Sequence, residues 1–394
     1  MRKLLLASSA LVLAAAPAMA ADNNNLKLQL SGYADFRAGF FDQDSDNSAA
    51  AAETHRDFET EAKLNFDVIG HAQNNVEYGG RVSLWNGANA NDGFNGGSND
   101  MHIHEAYAYM GGNFGKILLG DSTGASDLFV YAPVVGEGQV DGSYSDFTSN
   151  ATLAPFFPAY IDNEETSTKA TYYTPVFSGF QVGVSYAPQF YDYGQNVVKY
   201  HNAFSTTTND QPTPYDDFIE AAAQYNTDYK NFNIKLSGLL STANRSSSFG
   251  AACGTGAGQL CQDFTSWGLG GQVGFGGFTV GGSYNDGGDY LAPVGTNDDQ
   301  YTWSLGGTYE FGKAGVGISY LQGAGWTSGL GYVQNYTSVG VGGEYNWLPG
   351  LVTSADFVYF DQAQRAGSGL TGTVGAGDGD NNGYVFLLSQ RVNF

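Results

Sequence analysis

Between positions 121 and 166 the chain carries Asp121, Asp127, Glu137, Asp141 and Asp146, then further acids at 162, 164 and 165, and no lysine or arginine. Carboxylates in such a run cannot neutralise one another. They either solvate a surface loop or, where they line a narrow aqueous path, lower the energy of cations and repel anions. Asp127, Glu137, Asp141 and Asp146 lie centrally and are the candidates for the second role. Catalysis has no comparable footing. There is no Gly-x-Ser-x-Gly, His-Glu-x-x-His or phosphate-loop pattern, and nothing resembles a nucleophile–base pair. The chain reads as a non-enzyme.

Three smaller groups could also carry chemistry. His102 and His104 share one face of a strand, a spacing open to a transition metal. No cysteine or third histidine lies near them in sequence, so polar wall residues are the better reading and no metal ligand is assigned. Cys253 and Cys261 fall within one glycine-rich segment, and in an oxidising compartment they are expected to form a disulfide closing that loop. Asp378, Asp380, Asn382 and Gly383 imitate the start of a calcium loop, but its twelfth position is Ser389 rather than glutamate. A polar turn explains them better, leaving room only for a loosely held calcium ion on acidic loops.

The elements that must position these residues are short and alternating. The formal net charge of −23 argues against nucleic acid, whose backbone requires a basic footprint. Arg2 and Lys3, an apolar run and Ala18-Met19-Ala20 form the pattern of a cleavable signal peptide over 1–20. Beyond it no apolar run is long enough for a membrane helix, yet there are 56 Gly, 26 Tyr and 26 Phe. Aromatic- and glycine-rich segments of alternating polarity predict an all-β transmembrane barrel, with strands wetted on one side and lipid-covered on the other.

The alternation is explicit from Leu26 onward. Leu28, Leu30, Phe36 and Phe40 share a face opposed by Lys27, Gln29, Asp35 and Arg37. Phe58, Leu64, Phe66 and Val68 oppose Glu59, Glu61, Lys63 and Asp67. By this parity Arg37, Lys63, Arg81, His102, His104 and Lys116 face the lumen, while Glu105 faces outward beside Tyr107. Asp35, Glu59, Glu61 and Glu77 share the basic residues' faces, so local ion pairing competes with a free basic cluster. Glycine- and aromatic-marked turns, as at 111–115, 275–278 and 347–350, alternate with long polar loops at about 41–56, 85–101, 121–166, 188–215, 242–263, 286–299, 323–334 and 362–383. Eight long outer loops imply about sixteen antiparallel strands joined by short periplasmic turns, in one domain over 21–394.

Several segments resemble the general Gram-negative outer-membrane porin family, in its acidic alphaproteobacterial-type branch. Glu105-Ala106-Tyr107-Ala108-Tyr109-Met110 with Phe114-Gly115-Lys116-Ile117 looks like the hairpin entering that family's third loop. Lys169-Ala170-Thr171-Tyr172-Tyr173-Thr174-Pro175 with Phe177-Ser178-Gly179-Phe180 looks like the hairpin leaving it. The final segment, Phe386 to Phe394, resembles the terminal strand read by barrel-assembly machinery, with Phe394 as the assembly signal. The resemblance implies a sixteen-stranded barrel, a homotrimer, and an outer-membrane setting among lipid and lipopolysaccharide. It also implies a third loop folded into the lumen as the constriction, faced by a basic wall. Asp121 departs from the family, where arginine is common, as does the loop tip Pro133-Val134-Val135-Gly136-Glu137-Gly138.

The expected function is passive diffusion of small hydrophilic solutes and ions, with cations preferred. Alternatives are a substrate-specific channel, for instance for carbohydrate along Tyr131, Phe156, Phe157 and Tyr160, or a secreted β-rich surface binding protein whose apolar faces enclose a core.

Overall fold

The computed structural model describes residues 26–45, 55–87, 101–136, 142–148, 166–190, 215–246, 253, 260–327, 331–365 and 379–394. The expected signal segment 1–20 lies outside them. Sixteen strands occur among these residues. They are β1 (Leu26–Ser45), β2 (Arg56–His71), β3 (Glu77–Trp85), β4 (His102–Gly112), β5 (Gly115–Ser122), β6 (Ser167–Tyr173), β7 (Phe180–Gln189) and β8 (Tyr215–Tyr229). The second half comprises β9 (Phe232–Arg245), β10 (Phe264–Phe275), β11 (Phe278–Asp286), β12 (Tyr301–Phe311), β13 (Ala314–Thr327), β14 (Gly331–Leu348), β15 (Leu351–Arg365) and β16 (Gly379–Asn393). Each pairs antiparallel with its chain neighbours, and β16 pairs with β1, so the sheet closes on itself. Closure removes the unpaired edges that a sheet in lipid cannot tolerate.

The polarity of the wall follows the alternation. Phe58 is 71% exposed on the outside, and Leu28, Val280 and Ile318 are likewise exposed there. Asp35 and Arg37, one residue out of phase with that face, are buried within. A soluble binding protein would turn the apolar face inward; here it faces out, as lipid requires. Aromatic pairs gather next to the short turns: Phe232 stacks on Phe275 at 4.9 Å, and Phe278 on Tyr309 at 4.1 Å. Such rings suit a membrane–water interface.

Two departures from simple alternation matter. The β3–β4 register slips between Ser83 and Leu84, so His104 and Glu105 together oppose one step of β3. A bulge of this kind puts two consecutive side chains on the same side. Glu105 is consequently inward and buried, and Tyr107, paired with the inward Arg81, faces inward too, which corrects the outward position given by parity. Further on, β13 runs to Thr327 and β14 resumes at Gly331, where a long seventh loop was expected. A bulge between Gly323 and Gly325 lets the hairpin continue, and Trp326 packs against Tyr332 at 5.5 Å.

Candidate functional site: the lumen and the third loop

The segment following β5 turns into the barrel and lies along its inner wall. Serines and glycines receive it. The N–H groups of Ala125, Val130 and Ala132 donate to the hydroxyls of Ser185, Ser237 and Ser304, at 3.2, 2.8 and 3.0 Å. Gln224 and Gln272 donate to the carbonyls of Leu128 and Tyr131, at 3.0 and 2.8 Å. Buried backbone groups require such partners, and the wall supplies them strand by strand. Glycine makes the room. A Cβ on Gly270 would lie 1.7 Å from the Val130 carbonyl oxygen, and one on Gly306 would lie 2.7 Å from that of Pro133.

Val135 then rests on Gly315 and Gly317 of β13, and Gly136 abuts the Asp356 carboxylate of β15. The loop is described again at 142–148, where the 3-10 turn Ser143–Phe147 packs on β1 and β16. Phe147 sits over Gly39 and 6.1 Å from Phe41, while the Tyr144 hydroxyl hydrogen-bonds that of Tyr336. The described parts of the third loop thus lie along the inner wall from β6 round to β16 and β1.

Of its four candidate acids, Asp127 and Asp146 can be placed. Glu137 and Asp141 lie outside the described residues, as do Phe156, Phe157 and Tyr160. Asp127 occupies the 3-10 turn Ala125–Leu128 and is exposed to the lumen. Partial desolvation, with Glu105 and Glu220 nearby, holds its carboxyl above the usual range. Asp146 is 37% exposed and lies 3.9 Å from Arg37. Desolvation and the charge of Glu59 push it up to about 7, against the pull of Arg37.

The wall's basic residues are closely engaged by acids. Arg37 is 2% exposed and contacts Asp35 at 3.0 Å, Glu59 at 3.2 Å and Glu61 at 2.6 Å. Asp35 also accepts from Ser389 at 2.6 Å and from Arg391 at 3.2 Å, which ties β1 to β16. Arg81 meets Asp67 at 2.8 Å and Glu105 at 3.5 Å. Arg37 and Arg81 are therefore each matched by at least two carboxylates, and the wall's field is mixed. Lys63 lies 3.3 Å from His104, whose ring meets Trp85 edge-on at 4.8 Å. His102 stands 6.0 Å from the same indole. No group of three or more potential metal ligands occurs among the described residues. Lys116, exposed in the lumen, lies 4.5 Å over the Tyr109 ring and away from the Arg37 cluster.

Cys253 and Cys261 are bonded, with Cα atoms 5.0 Å apart. Phe394 extends the closing seam, its backbone exchanging hydrogen bonds with Gly32 at 3.0 and 2.8 Å. Residue types alone missed Glu105, Lys169 and Glu220, all inward and buried. Glu220 accepts from Ser185 at 2.5 Å directly beneath Gly124 of the loop. Its signal was available: a lone carboxylate among Phe218, Ile219, Ala221 and Ala222.

A family model described as Gram-negative porin matches residues 7–365. The chain belongs to the Gram-negative porin family. In structure this porin is similar to an anion-selective porin from Comamonas acidovorans, with TM-score 0.58 and 15% identity, covering 94% of this chain and 100% of that one. It is similar also to OmpT of Vibrio cholerae in trimer form, with TM-score 0.55 and 14% identity over 94% and 100% of the two chains. The outer membrane channel DcaP of Acinetobacter baumannii gives TM-score 0.56 and 12% identity over 94% and 98%. At these identities the likeness is one of fold. An uncharacterised protein of Rickettsia conorii is 28% identical over 227 residues, 50% of each chain, so the match spans about half the length of that relative. Family and architecture together make the protein an outer-membrane porin channel.

Proposed function

We propose that this porin passes small hydrophilic solutes and ions by passive diffusion, prefers cations, and performs no catalysis. The observation that carries the preference is the charge balance at the constriction. Arg37 and Arg81 are each engaged by several carboxylates, while Asp127 and Asp146 of the loop remain exposed to the water path. A low-dielectric wall strengthens the attraction of such fixed charges for mobile cations. Family membership supports a homotrimer embedded among outer-membrane lipid and lipopolysaccharide, with Phe394 presented to the barrel-assembly machinery. No cofactor enters this reading; calcium is at most a loosely held ion on the acidic outer loops.

Reversal potentials across planar bilayers under a salt gradient test the preference. The cation-to-anion permeability ratio is expected to exceed one. It should move toward anions when Asp127, Glu137, Asp141 and Asp146 are changed together to their amides. A ratio at or below one in the unaltered protein would remove the cation preference. An unmoved ratio in the variant would place these acids away from the path.

A further inference from the structure

The third loop is not the only segment turned into the barrel. Residues 286–300, joining β11 to β12, fold inward at the opposite end from the short turns. The Leu291 N–H donates to the Tyr215 hydroxyl of β8 at 2.6 Å. On the far side, the Tyr332 hydroxyl of β14 donates to the Asp299 carbonyl at 2.5 Å, and the Trp326 N–H of β13 donates to Gln300 at 3.0 Å. One segment therefore holds partners from β8 to β14, which a loop standing clear of the rim could not do.

Its inner surface is dry. Tyr290 packs 5.2 Å from Phe264 and 6.0 Å from both Phe190 and Tyr215, while Phe218 lies 5.0 Å from Phe190. Phe218 and Phe264 are inward residues at the outer ends of β8 and β10, where an open porin mouth would leave them wet; both are buried. The disulfide fastens a second segment to this cluster. Cys253 and Cys261 are 0% and 1% exposed. Gln262 N–H donates to the Ala292 carbonyl at 2.9 Å, and Val294 N–H to the Leu260 carbonyl at 3.0 Å. Two short strand-like pairings thus flank the Cys261–Pro293 bridge.

We propose that segment 286–300, stapled by the Cys253–Cys261 loop, roofs the outer mouth over β8–β14 and forms a second size filter in series with the third loop. The aromatic cluster gives the roof a core of its own, so it behaves as a packed wall. The roof narrows the way in ahead of Asp127 and Asp146 of the third loop. Both acids belong to the third loop and not to the roof, so the roof sets size and leaves charge preference to that loop.

The inference rests on the diffusion reading, and one set of measurements separates the two. Conductance in planar bilayers and swelling of proteoliposomes in sugars of increasing size would be recorded for the unaltered protein, for Cys253→Ser with Cys261→Ser, and for Tyr290→Ala. Folded barrels are selected by heat-modifiable gel migration. The single ring truncation keeps the test open should the cysteine pair prove necessary for assembly. Both folded variants are expected to conduct more, to lose much of their discrimination between large and small sugars, and to keep the cation-to-anion ratio. Folded variants with unaltered conductance and size dependence overturn the roof. Absence of any conductance in the unaltered protein overturns instead the channel reading beneath it.

Discussion

Arg37 is the residue on which most of the lumen's charge geometry depends. It holds Asp35, Glu59 and Glu61 in a buried cluster and reaches Asp146 of the loop at 3.9 Å. Replacing it by leucine takes the guanidinium from Glu59 and Glu61 and leaves Asp35 with Arg391, and breaking a buried pair from one side typically costs ~3–5 kcal/mol. The temperature at which the folded gel band converts to the unfolded one should fall accordingly. Asp146 carries a separate expectation. Its carboxyl is pushed up to about 7, so it is charged above that pH and neutral below it. Cation preference should therefore decline as pH falls through about 7, and Asp146→Asn should flatten that part of the profile. Reversal potentials at a series of pH values decide it; an equally steep profile in the variant would assign the titration elsewhere.

At the scale of elements, the third loop is held by what the wall lacks as much as by what it bears. Gly270→Val places a branched side chain where the Val130 carbonyl now lies, so the loop must lift while the strand remains in the sheet. Noisier conductance and new protease cleavage within 121–166, in a barrel that still migrates as folded, are the expected signs. Ser237→Ala should act in the same direction more weakly, since it strands one buried N–H at about 1–3 kcal/mol. Alternation made β1, β2 and the hairpins around the third loop readable from residue types, because lipid and water impose a period of two on every strand. The bulge in β4 was not readable that way. It exchanges the face of Glu105 without altering the polarity pattern around it, and only the pairing of Ser83 with Glu105 exposes it. The serine–glycine track was equally hidden, since Gly270 and Ser237 look like ordinary barrel residues until the loop lies on them.

For the whole molecule, the legible features were those repeated along the chain: alternating faces, alternating connection lengths and an aromatic terminus. Cross-strand combinations were not legible. Arg37, Arg81 and Lys63 invited a basic wall by residue type, yet register sets Arg37 against Glu59 and Arg81 against Asp67. The outward band of exposed leucine, valine and phenylalanine leads to a simple expectation about handling. The protein should leave membranes only with detergent, and should show a folded gel form that disappears on boiling. Extraction by salt or alkali alone would contradict the barrel's lipid-facing surface.

The seam between β1 and β16 bears on how such a molecule comes to exist. Asp35 waits for Ser389 and Arg391, partners 354 and 356 residues further along. Until the last strand has been delivered, the ring has two raw edges and a face of bare hydrocarbon, with nothing in water to cover either. Nascent segments cannot reach the native state one hairpin at a time. The chain must cross the aqueous compartment as an unfinished and adhesive object, and its escort has to hold it until the final residues arrive.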